Sequence, residues 1–253
     1  DLNYDQESDH IVVREFDLST TWAKFSVAGS STWDEKTIDG TVNASIANLD
    51  RLNEFLGIDL GGQATLNTEV HGTVSDFRTT TLVIVHEFNI EDVGISSFEV
   101  ELEAQGKDWT RAFDAPVDLH IKASSDPIQF NEKTQPRIEL VAEGTLSNSE
   151  LLIIDEFSLH DQNSYVSGNA HLNFQSGETV VHVEARSNDI AAVTSLFDSK
   201  IGGSLEASVQ LISETGAWHG VLNMQLNKPD GLPRGLSELA GQRLRANMES
   251  TFL

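Results

Sequence analysis

Apolar and polar residues take turns along most of this chain. Val117, Leu119, Ile121 and Ala123 form a clean row of period two, as do Phe98, Val100 and Leu102, and then Val181, Val183 and Ala185. Leu205, Ala207, Val209 and Leu211 repeat the pattern, followed by Leu222, Met224 and Leu226. Such alternation marks strands with one dry face and one wet face. The chain therefore reads as all-β and mostly antiparallel. Its dry face needs a cover, which a sheet finds by closing into a barrel, pairing into a sandwich, or curling into a groove that accepts something apolar.

Three stretches break the alternation and predict two or three short helices. Leu49, Leu52, Phe55 and Leu56 fall at helical spacing, Gly57 supplies a stop, and Gly61-Gly62 opens an alternating strand. Residues 189–220 follow the same order: Ile190, Val193, Leu196 and Phe197 each stand 141 positions after their counterparts, as does Gly202-Gly203. The third stretch follows Pro233, where Leu236, Leu239, Ala240 and Leu244 predict a helical segment within 227–253. Arg234, Arg243 and Arg245 concentrate positive charge there. A looser repeat runs underneath. Glu15-Phe16-Asp17-Leu18 returns as Glu87-Phe88-Asn89-Ile90, 72 residues on, and as Glu156-Phe157-Ser158-Leu159 after a further 69. The expectation is one elongated repeat domain with units near 11–80, 81–150 and 151–226. The middle unit carries Ser125-Asp126-Pro127-Ile128 in place of the helix, and the proline opposes one.

Composition narrows the function classes. Forty acidic residues against 16 basic ones give a net charge of -24, which repels nucleic acid and anionic headgroups at long range. With no cysteine there is neither a disulfide nor a thiolate metal site, which fits the cytosol and the periplasm equally. Residues 1–10 are polar, unlike a signal peptide, and the apolar runs stop after about four residues, far short of a membrane span. The start without methionine points to a processed piece, with any anchor outside it.

The order Asn48-Leu49, Leu52, Phe55-Leu56, Leu60-Gly61-Gly62, a strand, His71-Gly72-Thr73-Val74, another strand, then Gly94-Ile95-Ser96 before Phe98 resembles the degenerate repeat of TamB-type proteins in the AsmA-like group. The resemblance covers 48–106 best and 189–220 well, and departs at 125–135. It implies a curved β-groove, or β-taco, with an apolar interior. Members of that family are anchored in the inner membrane and cross the periplasm. They work with an outer-membrane barrel protein of the TamA type in phospholipid transport and outer-membrane protein assembly.

The alternation supplies a candidate wall for such a groove. It consists of Leu66, Val70, Val100, Leu102, Val117, Leu119, Ile121, Leu140, Val181, Val183, Val209, Leu211, Leu222 and Leu226. Phospholipid acyl chains held there would gain about 0.8 kcal/mol per buried methylene.

Catalytic signatures are missing. The eight histidines are spread along the chain without ligand spacing, so no metal, cofactor or enzymatic activity is expected. Gly61-Gly62 lacks the Gly-Lys-Ser/Thr of a phosphate loop. Glu99, Glu101 and Glu103 line one side of a strand, where a solvated row and the paired acids of a glycan-active sandwich look alike. Trp22, Trp33, Trp109 and Trp218 lie near strand ends and turns, where half-burial is common. Two other readings accompany the lipid groove: a structural rod or adhesin stalk with a filled interior, and a carbohydrate-binding β-sandwich.

Overall fold

The computed structural model of the protein describes residues 2–5, 10–32, 36–53, 57–73, 75–90, 93–107, 115–130, 133–147, 150–191, 194, 201–214, 217–232 and 241–252. They form an all-β protein of antiparallel strands in two units. Unit 1 holds residues 1–134 and 145–149, and unit 2 holds 135–144 and 150–253.

In unit 1, β1 (Leu2–Asp5) pairs with β2 (His10–Ser19). From β2 the ladder passes in sequence order through β3 (Ala23–Thr32), β4 (Thr37–Ile46), β5 (Leu60–Thr73), β6 (Asp76–Ile90), β7 (Val93–Gly106) and β8 (Val117–Ser125). The short β9 (Ile128–Phe130) pairs with the start of β7. After Ser125 the backbone passes through Asp126-Pro127 directly into β9, as proline dictates. β10 (Lys133–Gln135) and β11 (Glu139–Ser147) follow at the border of the units. In unit 2, β12 (Leu151–His160), β13 (Ser164–Asn173), β14 (Thr179–Ser187), β15 (Gly202–Glu214), β16 (Ala217–Asp230) and β17 (Arg243–Phe252) pair in turn.

Among the described residues, α-helical backbone is confined to Asn53, Ala191 and Thr194, at the two sites where the spacing predicts short helices. Leu49–Leu52 forms a single 3-10 turn, capped by the Asn48 side chain, which accepts the Asp50 N–H at 2.8 Å. Phe55 and Leu56 lie outside the described residues. In the second copy the Asp189 carboxylate accepts the Ala191 N–H at 2.9 Å and the Thr194 N–H bonds the Ile190 carbonyl. Val193, Leu196 and Phe197 lie outside the description. The predicted C-terminal helical segment needs correction from Arg243 onward, where the chain forms a strand. Leu244 lies in β17, paired with Leu226, and Arg243 and Arg245 stand on the same strand. Leu244, Ala246 and Met248 alternate with polar residues, a period of two that suits a ladder along β16 better than a helix. Residues 233–240 lie outside the description.

The recurring Glu-Phe tetrads mark places where the ladder slips. Glu15 falls in the register shift between Val13 and Phe16, and Glu156 in the one between Ile154 and Phe157. Glu87 is skipped between His86 and Phe88 and has a φ of 52°. Each bulge holds the glutamate out of the ladder and returns the next phenylalanine to the apolar face.

Positions 141 apart also share geometry. Gly62 and Gly203 have φ of 114° and 115°, each at a register shift. Opposite them, Glu87 and Lys228 are both left-handed, with φ of 52° and 46°. Leu49 and Ile190, which start the two turns, are both buried, as are Val85 and Leu226.

Phe98 meets Phe88 edge-on, with ring centroids 5.4 Å apart at 89°. Phe98→Ala is expected to destabilise unit 1 by about 2 kcal/mol, less than a fully buried ring would, read as a lower urea midpoint.

Candidate functional site: the apolar face of each sheet

Register decides which side chains share a face. In unit 1, Phe25, Ala44, Leu66, Val83 and Val100 stand opposite one another across five strands, and Ala123 extends the row on β8. The next row joins Val27, Val42, Thr68, Thr81, Leu102 and Ile121. Val70, Thr79, Ala104 and Leu119 make a third row, and Val117 lies beside Gly106 in a fourth. The seven wall residues predicted for this unit, Leu66, Val70, Val100, Leu102, Val117, Leu119 and Ile121, therefore lie on one face.

Unit 2 is built alike. Phe157, Gly168, Val183, Val209, Leu222 and Met248 form one row. Val181 and Leu211 stand side by side in the row next to it, and Leu205, Leu226 and Leu244 line up on the other side. The predicted Val181, Val183, Val209, Leu211, Leu222 and Leu226 share this face. Leu140 sits half-buried in β11, whose neighbour in the sheet order is β12.

These faces are only partly hidden from water. Among the described residues no large side chain is completely buried. On the unit 1 face Val85 and Val117 are buried, Leu66, Val100, Leu102, Leu119 and Ile121 are half-buried, and Phe16 and Leu18 are 55% and 59% exposed. The inner residues of a closely packed sandwich would nearly all be out of solvent. The apolar rows are contiguous across strands and partly in water.

Several members of the face escape a reading of periodicity. Phe16 and Leu18 are out of phase with Ile11 and Val13 because of the bulge between them. Val83 and Val85 are masked by Leu82 and Ile84, which point to the other face of the same strand. The tetrad that recurs at each bulge was the signal that could have restored the phase.

The opposite face is polar and paired across strands. Arg78 meets Glu103 at 2.6 Å and Lys122 meets Glu101 at 3.7 Å, so two of the three glutamates considered for glycosidase chemistry are ion-paired on an exposed surface. His71 lies 3.1 Å from Asp39 and His160 lies 3.0 Å from Glu139, each histidine with a carboxylate from a neighbouring strand or segment. Among the described residues no group of three or more potential ligands gathers to hold a metal ion. Trp22 is half-buried at the entry to β3 and Trp218 half-buried in β16, while Trp33 and Trp109 lie outside the described residues. No helix among the described residues is long and apolar enough to cross a membrane.

Comparison of the chain with protein-family models, with curated proteins and with solved structures finds no match.

Proposed function

We propose that this chain is a segment of a TamB-like lipid-conducting groove. Its apolar faces take phospholipid acyl chains, and its polar faces stay in water. The observation that carries the reading is the set of contiguous cross-strand apolar rows left half in solvent in both units. The likeness of 48–106 and 189–220 to the TamB-type repeat supports it, as does the matched geometry 141 residues apart at Gly62 and Gly203. On this reading the protein works in the periplasm, in phospholipid transport and outer-membrane assembly. It is tethered to the inner membrane by an anchor outside this chain and partnered by an outer-membrane barrel protein of the TamA type.

Magnitudes favour an acyl ligand over a bare face. Burying about ten methylenes is worth roughly 8 kcal/mol at 0.8 kcal/mol each, the size of a micromolar dissociation constant before ordering costs. The face itself supplies no bond to hold the ligand at one place. Contact of this kind is non-directional, so a chain can slide along the rows without breaking anything specific.

The test is native mass spectrometry after gentle purification, paired with titration of a fluorescent fatty acid. Co-purified phospholipid and saturable uptake are expected. A lipid-free protein that takes up no fatty acid would instead be a structural rod.

A further inference from the structure

The sheet of unit 1 has a recess on the face opposite the apolar rows. It encloses about 670 Å³ and draws its walls from five consecutive strands, β2 to β6. Asn43, Ser45, Thr65, Asn67, Leu82 and Ile84 make up its centre. Moving 141 positions along the chain from each gives Glu184, Arg186, Glu206, Ser208, Asn223 and Gln225, and all six line a recess of about 330 Å³ in unit 2. Both recesses sit on strands whose ladder slips at a glycine opposite a left-handed residue, Gly62 with Glu87 and Gly203 with Lys228. Such slips increase the local twist and bend of a sheet. The frame therefore sets the hollow in both units, and the side chains decide what each can hold.

We propose that the unit 1 recess binds a neutral oligosaccharide lying across the strands. Its lining offers hydroxyls and amides that both donate and accept, with one ammonium, Lys24, and one carboxylate, Asp17, at the β2–β3 end, alongside the apolar Leu18, Phe25, Ala44 and Leu66. Asn67 Nδ2 donates to Asn43 Oδ1 at 2.7 Å, which orients both amides and leaves Asn67 Oδ1 and Asn43 Nδ2 for a ligand. Leu82 and Ile84 give an apolar floor on which the C–H face of a sugar ring can rest. Five strands spaced about 4.8 Å apart span roughly 19 Å, enough for a short run of sugar rings. The volume lies within the usual range for ligand sites, about 300–1,000 Å³.

Other ligand classes fit less well. An acyl chain would leave the amides and hydroxyls unpaired, and a polyanion would meet a chain of net charge -24. The unit 2 recess is occupied by its own contacts. Arg245 Nε donates to Gln225 Oε1 at 3.0 Å and Arg186 lies 3.7 Å from Glu184. Ten of the fourteen residues that line the recess alternate with the apolar row, while Leu18, Phe25, Ala44 and Leu66 belong to both, so the Ser45→Trp arm below is what separates this site from the lipid face.

The experiment is a backbone-amide NMR titration of the whole chain with neutral cello-, malto- and chito-oligosaccharides. Saturable shifts confined to β3–β6 are expected with one of these series at millimolar concentration. Asn67→Leu is expected to weaken binding about tenfold, as loss of a ligand hydrogen bond does. Ser45→Trp, which fills the recess without removing an amide, is expected to abolish it, with the undisturbed amide spectrum elsewhere reporting the fold. Three outcomes overturn the proposal: no saturation with any sugar, shifts that survive both substitutions, or an uncharged extended peptide producing the β3–β6 shifts that sugars fail to produce. Fatty-acid uptake unaffected by Ser45→Trp keeps the two faces distinguishable.

Discussion

Replacing Gly62 by valine is expected to destabilise unit 1 by about 3–5 kcal/mol, seen as a urea midpoint lower by roughly 1–2 M in circular dichroism. At a φ of 114° a side chain is strained whatever the space around it. Space is lacking as well, since a Cβ there would lie 2.6 Å from the His86 carbonyl oxygen and 2.8 Å from that of Glu87. Both obstacles are backbone atoms of β6, so neither can move aside as a flexible side chain would. Gly203→Val should do the same in unit 2, where the Asn227 carbonyl oxygen would lie 2.7 Å away. Gly57 gives the comparison: its φ is 71° and nothing stands within 4 Å, so Gly57→Ala should cost only about 1 kcal/mol. Equal losses at Gly57 and Gly62 would contradict the paired left-handed geometry of the β5–β6 slip.

The second large effect concerns ligand. Leu119→Asp places a charge in the row that runs through Val70, Thr79 and Ala104. An acyl chain laid over that row would have to desolvate a carboxylate with no partner, which costs several kcal/mol. Fatty-acid affinity is expected to fall by at least about tenfold, or uptake to vanish. The site is half-buried and not sealed, so the carboxylate in the ligand-free protein reaches water and the fold survives. Gln105→Asp serves as control on the polar side of β7, next to Arg78, where the added charge should leave uptake unchanged. Undiminished loading in a folded Leu119→Asp protein would remove the apolar face as the lipid path.

Much of this arrangement was open to reading from residue order, for a simple reason. Where a strand is regular, the side-chain period is two and the face of each residue follows at once, as for Val117, Leu119 and Ile121. What was hidden lies where the period is interrupted. The run from Leu82 to Val85 is apolar on both sides, so it hides its own phase, and the bulge between Val13 and Phe16 resets it. Spacing also misled at the C-terminal end. Leu244 groups with Leu236, Leu239 and Ala240 at helical spacing, yet Leu244 itself pairs with Leu226 because the residues after it alternate and β16 offers a ladder to extend. The recess on the polar face leaves no periodic mark at all. It arises from the coiling of strands, which residue order records only through a diglycine and a glutamate some 25 positions later.

From β2 to β8 in unit 1, and from β12 to β17 in unit 2, each strand pairs with the one just before it in the sequence. Such pairings have short loops to close and need no distant part of the polypeptide to arrive first. Each new hairpin can zip onto an edge that already exists, so structure can grow in the order of synthesis. A chain that must emerge from a narrow passage thus has a route to its native state that begins before its end is free.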